Sequence, residues 1–343
     1  MTPMLMDDHL LALSDRYGVF EHCLGAVPRR EHGFCVDDVS RALILLTRER
    51  NSGAAVSVEA GRLASRSLSF VLEAQDEDGL FVNRRAVDGT WYGRASAEDH
   101  WGRGMWSLGE VVQSADERRD KALDAFELGA RHRPPFLRSM VFAGLGAAGV
   151  VAAEPDNEAG RSLLRDAADR IPAGMSAGWP WHDVRLTYAN AAIPEVLIRG
   201  GLLLEDPRML KRGLSLLDWL LDVEIIGNHL SVTPAGGWSQ GELRPGFDQQ
   251  PIEVAALVDA CSAAVEASGD GSWLRGITMG NAWFEGDNDA GVEMGNPLTG
   301  AGYDGLHADG RNDNQGAEST LAYLMVVQSA RLHAAVPSEQ ERS

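Results

Sequence analysis

Gly33-Phe34-Cys35-Val36-Asp37-Asp38 runs straight into Val39-Ser40-Arg41-Ala42-Leu43-Ile44-Leu45-Leu46. A polar and aromatic cluster thus opens directly into a helical run too apolar to face water. The device recurs at Ala97-Glu98-Asp99-His100-Trp101, Trp179-Pro180-Trp181-His182-Asp183, Phe247-Asp248-Gln249-Gln250-Pro251 and Asn312-Asp313-Asn314-Gln315. Helices of this kind lying side by side in one orientation would bring carboxylates, amides and indoles to a single rim. The pattern predicts a site as well as a core.

Helical periodicity governs the rest of the chain. Residues 38–49 turn Ala42, Leu43, Leu45 and Leu46 inward; after a break at Gly53, residues 58–75 carry an amphipathic face of Leu63, Ser67, Phe70, Val71 and Ala74. Further pairs read as 98–113 with 116–131, 138–153 with 157–171, 188–204 with 207–223, and 251–267 with 271–284. Pro194 predicts a kink or a late start in its helix, and Pro251 suits a first turn. The last helix spans 315–335, and its partner is 8–23, packed across the chain termini. One member of each pair is apolar all round and the other amphipathic, so the first belongs inside and the second outside. The prediction is an all-α fold, an (α/α)6 toroid of six helical hairpins, as one domain over residues 1–336 with a polar tail at 337–343. The openings are irregularly spaced, on the order of 40 to 65 residues apart, which disfavours an open superhelix of regular repeats. Strand signal is limited to alternation at 227–233, enough for at most a small β-hairpin. The glycine-rich stretch 286–316 lacks apolar periodicity and reads as a long functional loop.

Bulk properties narrow the partners. The chain has 343 residues, 44% of them hydrophobic, and a net charge of -19. That charge excludes nucleic acid and anionic membrane surfaces, which need clustered Lys and Arg, and favours a neutral or weakly charged ligand. Cys23, Cys35 and Cys261 give neither a disulfide framework nor a zinc knuckle. The first residues carry Asp7, Asp8 and Asp15 in place of a basic, apolar leader. No apolar run reaches the roughly 18 residues of a membrane span. The expectation is a cytoplasmic protein without membrane insertion. The Asp/Asn/Gly-rich region around 303–316 lacks the register of a calcium loop, so neither metal nor cofactor is expected.

Several clusters carry candidate chemistry. Of Asp37 and Asp38, one can serve as a helix cap. The other, flanked by Phe34, Cys35 and Val36, enters a buried setting that raises a carboxyl's pKa and suits acid or base work. Asp248, Gln249, Gln250 and Glu253 set amides beside carboxylates, as sugar hydroxyls require, because each hydroxyl both donates and accepts. Tyr303, Asp304, Asn314, Gln315 and Glu318 form a third group. Trp101, Trp181, Tyr188 and Tyr303 are candidate platforms for sugar C–H faces. Gln249, Gln250, Asn190, Asn314 and Gln315 would bind hydroxyls, supported by His32, His182 and Arg103.

At these residues the chain resembles the six-hairpin glycosidase-like superfamily. Its nearest likeness is a bacterial helical domain found alone or fused behind glycosyltransferase domains. The likeness rests on Gly18-Val19-Phe20-Glu21-His22, Pro28 and the run from His32 to Leu43. It continues in Trp283-Phe284-Glu285-Gly286-Asp287-Asn288-Asp289, Gly302-Tyr303-Asp304-Gly305-Leu306 and Asn314-Gln315-Gly316-Ala317-Glu318-Ser319-Thr320. Glu21 stands where a Gln is expected, and Val39-Ser40 where Asn-Ala is expected. The resemblance implies a carbohydrate substrate, an oligosaccharide or glycoconjugate, and acid/base carboxylates at the inner-helix rim. It also implies a separately encoded glycosyltransferase as a candidate partner.

These readings predict a glycoside hydrolase using two carboxylates, with a wide separation giving inversion. Asp38 is the first candidate for one role and Asp37 the second. Asp304 or Glu253 takes the other, with Asp248 and Glu318 in reserve. An epimerase or isomerase of the same fold would instead need histidines, namely His32, His100 and His182. A third reading is a glycan-binding module that does no chemistry.

Overall fold

The computed structural model describes residues 5–334; the expected polar tail lies outside the described residues. Twelve α-helices are present among them. The apolar runs form α2 (Val36–Asn51), α4 (Asp99–Val112), α6 (Leu137–Ala153), α8 (Ala192–Leu203), α10 (Pro251–Ser268) and α12 (Ala317–Ala334). Each packs on the next, and α12 returns to α2, so the six close into a ring. Outside them lie α1 (Asp8–Ala12), α3 (Val58–Ala74), α5 (Arg119–Gly129), α7 (Glu158–Asp169), α9 (Pro207–Glu224) and α11 (Leu274–Phe284). Each outer helix packs on an inner one, α3 on α2 and so on round to α1 on α12. This is the (α/α)6 toroid. Burial follows the pairing: 13 of the 14 residues of α4 are buried, whereas α7 buries only Gly160, Leu163, Leu164, Ala167 and Ala168.

Two elements differ from the sequence expectation. The helix expected at 8–23 is only Asp8–Ala12, because Ser14 bridges to Val19 and Cys23–Leu24 pairs with Val27–Pro28. Sheet content also exceeds a single hairpin, with six small antiparallel sheets among the described residues. The largest joins Phe34–Cys35 to Phe81–Arg85 and Trp91–Ser96, which places a strand immediately before α2. Gly33 makes the turn into that strand at φ +68, where a Cβ would lie 2.4 Å from the Arg85 carbonyl oxygen. Only glycine fits there. Pro194 sits in the first turn of α8, so the late start is the outcome. No described helix is long and apolar enough to cross a membrane.

The ring is tightest between α4 and α6. A Cβ at Gly109 would lie 2.1 Å from the Gly146 carbonyl oxygen, and one at Gly146 would lie 2.2 Å from that of Met105. Backbone cannot yield as a flexible side chain can, so the helices would have to separate. Gly146→Ala is expected to destabilise the fold by about 1–3 kcal/mol, read as a lower denaturation midpoint; an unchanged midpoint contradicts this packing.

Side-chain capping occurs at three outer helices, while α1, α5 and α11 begin without it. Ser57, Asn157 and Asp206 cap α3, α7 and α9 with their side chains. At α2, α4, α6, α8 and α10 the N-cap side chain makes no such bond. The inner helices gather the positive ends of their dipoles at one end of the ring, with the first N–H of α2 donating to Asn83 Oδ1 and that of α12 to the Glu21 carbonyl, each at 3.1 Å. Further along the interior, Arg48 of α2 binds Glu110 of α4 at 2.7 Å and Asp259 of α10 at 2.9 Å, tying three inner helices by a buried ion cluster.

Candidate functional site

At the N-terminal end of the inner ring lies an open cavity of about 500 Å³. Helix α2 supplies Asp37, Asp38 and Arg41, α4 supplies Asp99 and Arg103, and α12 supplies Glu318 and Ser319. Tyr188 reaches it ahead of α8, and Gln250 ahead of α10. Glu21 and His22 precede α2, while Asp304 and Asn312 come from the glycine-rich loop. A mutual pair of backbone hydrogen bonds between Gln249 and Leu306 (3.0 and 2.9 Å) holds that loop beside the start of α10.

Arg41 organises the floor. Its Nη1 donates to Asp38 Oδ1 at 2.6 Å and its Nη2 to Glu318 Oε2 at 2.6 Å, joining α2 to α12. The Cys35 thiol approaches Asp38 Oδ2 at 3.3 Å, so both carboxyl oxygens of Asp38 are occupied. Burial pushes Asp38 up to about 6 against the pull of Arg41. Burial likewise raises Asp304, which accepts from the Gly316 N–H at 2.8 Å. Asp37 is different: its closest cation is Arg103, whose Nε stands 3.5 Å away, and its side chain is 24% exposed. Glu318 is 42% exposed despite its bond to Arg41. Asp37 and Glu318 are thus more open to a ligand than Asp38.

Glu21, Cys35 and Asp38 offer ligand atoms within 4.8 Å of one another. Arg84 holds Glu21, Arg41 holds Asp38, and burial raises the Cys35 thiol well above its ordinary value. A protonated thiol and two engaged carboxylates make a poor donor set for a metal.

Of the candidates read from sequence, Asp37, Asp38, Asp304, Glu318, Arg103, Tyr188 and Gln250 border the cavity. The others lie elsewhere. Glu253 is buried behind it, accepting from the Ala189 and Asn190 N–H groups and the Asn190 amide, and so fixes the loop before α8. Asn190 serves that same loop. Asp248 faces outward to His307 Nδ1 at 2.7 Å. Trp101 and Trp181 have 0% exposure and present no ring to a sugar. Tyr303 is covered by Arg311, whose Cζ lies 3.6 Å from the ring centroid. Gln249 is fully buried, accepting from Trp283 Nε1 at 3.0 Å. Asn314 accepts from the Gly25 N–H, and the Gln315 N–H donates to the Gly25 carbonyl; both tether a loop. His182 packs on Trp181, and burial lowers it to about 4. His32 touches His22 at 3.0 Å from outside the lining. Arg41, Asp99, Glu21 and His22 were not among the candidates; an arginine one turn after Asp38 in the run Ala42–Leu46 was the available signal for the first.

Glu253 yields a test of this placement. Burial raises its carboxyl from 4.5 to about 8. A folded-state pKa above the unfolded one means that the folded protein binds the extra proton between those values. Stability is therefore fully present below about 4.5 and falls as pH rises through about 8. Glu253→Gln should flatten the decline of melting temperature between pH 6 and 9; parallel curves would refute it.

No family model and no curated protein matches the sequence. Solved structures do. A sugar epimerase from a ruminal bacterium matches at TM-score 0.70 with 11% identity, covering 97% of this chain and 97% of that one. The cellobiose 2-epimerase of Spirochaeta thermophila matches at TM-score 0.70 with 11% identity, covering 96% and 94%. A cellulase of C. cellulolyticum matches at TM-score 0.58 with 11% identity, covering 92% and 87%. These likenesses show the fold, a closed (α/α)6 ring of paired helices.

Proposed function

We propose that the protein is a carbohydrate-active enzyme, a glycoside hydrolase whose acid and base are cavity carboxylates. The observation that carries this is the composition of the lining: Glu21, Asp37, Asp38, Asp99, Asp304 and Glu318 surround the cavity with one imidazole, His22. Asp304, raised by burial, holds the proton to be given to the glycosidic oxygen. Asp37, a partly exposed carboxylate, takes a proton from water as the water oxygen attacks the anomeric carbon and the bond to the leaving oxygen breaks. Arg41 holds Glu318 nearby, where it favours positive charge developing on the sugar ring. Tyr188 offers the platform, and Gln250 and Asn312 reach hydroxyls. Inversion is the expected outcome if the two carboxyls leave room for water between them.

Likeness to sugar epimerases and to a mannose isomerase supports a second reading, in which a histidine moves the proton. His32, His100 and His182 do not border the cavity; His100 is buried and bonded to the Phe81 carbonyl at 2.9 Å. That leaves His22. The experiment compares His22→Ala with Asp304→Asn on a panel of oligosaccharides. Under the hydrolase reading His22→Ala costs less than about tenfold and Asp304→Asn costs about 10²–10⁴-fold; the reverse order supports epimerisation. The likeness to domains fused behind glycosyltransferases supports a separate glycosyltransferase as partner.

A further inference from the structure

Two arginines border the cavity, and they differ in what holds them. Arg41 gives one terminal nitrogen to Asp38 and the other to Glu318, at 2.6 Å each. Arg103 is 3% exposed yet makes no hydrogen bond among the described residues. Its one ion pair runs from Nε to Asp37 at 3.5 Å, longer than a hydrogen bond. The two terminal nitrogens have no acceptor. The side chain is nonetheless rigidly placed. Its Cζ lies 4.0 Å from the Phe142 ring centroid, and the neighbouring Gly102 sits so close to α6 that a Cβ there would lie 2.4 Å from the Ser139 carbonyl oxygen. A guanidinium stacked on an aromatic ring keeps its fork in one plane.

A buried cation so loosely paired is costly, and burial lowers Arg103 to about 10. A neutral sugar hydroxyl would satisfy a donor without balancing the charge. A carboxylate does both, since its two oxygens match the two parallel N–H bonds of the fork. Phosphate fits less well: it brings a charge of about -1.5 to -2 into a cavity already ringed by carboxylates.

We infer that the sugar taken by this cavity carries a carboxylate, as a hexuronic acid residue does, and that Arg103 binds it through both terminal nitrogens. The inference rests on reading the cavity as a sugar site. It narrows the substrate class to uronic-acid-containing glycans, whose single charge stays compatible with an acidic protein.

The test is calorimetric binding of glucuronate-, galacturonate- and mannuronate-terminated disaccharides, each against its neutral counterpart and a sugar phosphate. The wild-type protein is expected to prefer at least one uronide by tenfold or more over its neutral counterpart. Arg103→Met should erase that preference, and Arg103→Lys, which keeps the charge without the fork, should retain part of it. Melting curves check that both variants fold, and Arg103→Lys alone decides the question if Arg103→Met does not. Equal affinity for neutral and acidic sugars, tighter binding of the phosphate, or a preference untouched by both variants overturns the inference. Because binding is read without turnover, a uronide bound through Arg103 but never cleaved supports this inference while sinking the hydrolase reading. Cleavage of neutral glycosides without preference does the opposite. Failure of every sugar to bind overturns both.

Discussion

Asp37→Asn is expected to lower turnover on a glycoside by about 10²–10⁴-fold, the ordinary contribution of a positioned acid or base. Asparagine keeps the shape and the contact to Arg103 but cannot accept a proton at neutral pH, so KM should change far less than kcat. Asp304→Asn should fall by a similar factor on substrates with poor leaving groups. An aryl glycoside with an acidic leaving group needs no proton from the enzyme, and should restore most of the Asp304→Asn activity but none of that lost in Asp37→Asn. This pattern separates the two roles. If both variants keep more than about a tenth of the activity, the carboxylates are misassigned.

Arg41→Met is expected to destabilise the protein by about 3–5 kcal/mol, because it leaves charge partners of a buried ion pair behind. Asp38, fully inside, loses its only direct cation among the described residues, and α2 loses this ion-pair tie to α12. The loss should depend on pH. Asp38 already titrates at about 6 in the folded chain against 3.8 ordinarily, so its favourable contribution is fully present below 3.8 and is lost as pH rises through about 6. Without Arg41 the carboxyl relieves its cost by protonating, which it does more readily at low pH. Urea denaturation should therefore show a larger deficit at pH 8 than at pH 5. A deficit under about 1 kcal/mol at both would place this triad among the weakly contributing surface pairs.

The ring was legible because its two helix types differ in composition. The run Leu137–Ala153 is apolar on every side, whereas Glu158–Asp169 alternates polar and apolar faces, and this contrast alone assigns inside and outside. The 8–23 segment misled because its apolar residues are divided among a short helix on α12, a bridge, and Phe20 stacked on Phe34, which a periodicity count does not separate. The rim was legible for the same reason as the ring: helix starts are visible in sequence, and a shared orientation gathers them. Which rim residues face the cavity was not. Glu253 and Gln249 share the 247–253 opening with Gln250, but only Gln250 turns to the cavity; the other two brace loops. Trp101 and Trp181 read as platforms because they sit beside histidines, yet indoles at those positions fill the wall. Sequence places a residue at a helix start but does not say whether the partner at its back is solvent or a neighbouring loop. Arg41 illustrates the converse, a charge inside an apolar run whose partner lies 277 positions away in Glu318.

The proposed chemistry is cleavage of a glycosidic bond by carboxylates at the inner-helix rim. A proton NMR time course on an oligosaccharide panel, run with wild type and Asp37→Asn, separates this chemistry from epimerisation. Hydrolysis gives new reducing-end anomeric signals, of a single anomer at first, from the wild type and none from the variant. Conversion of the reducing sugar to an epimer at unchanged chain length, undiminished in Asp37→Asn, would contradict it.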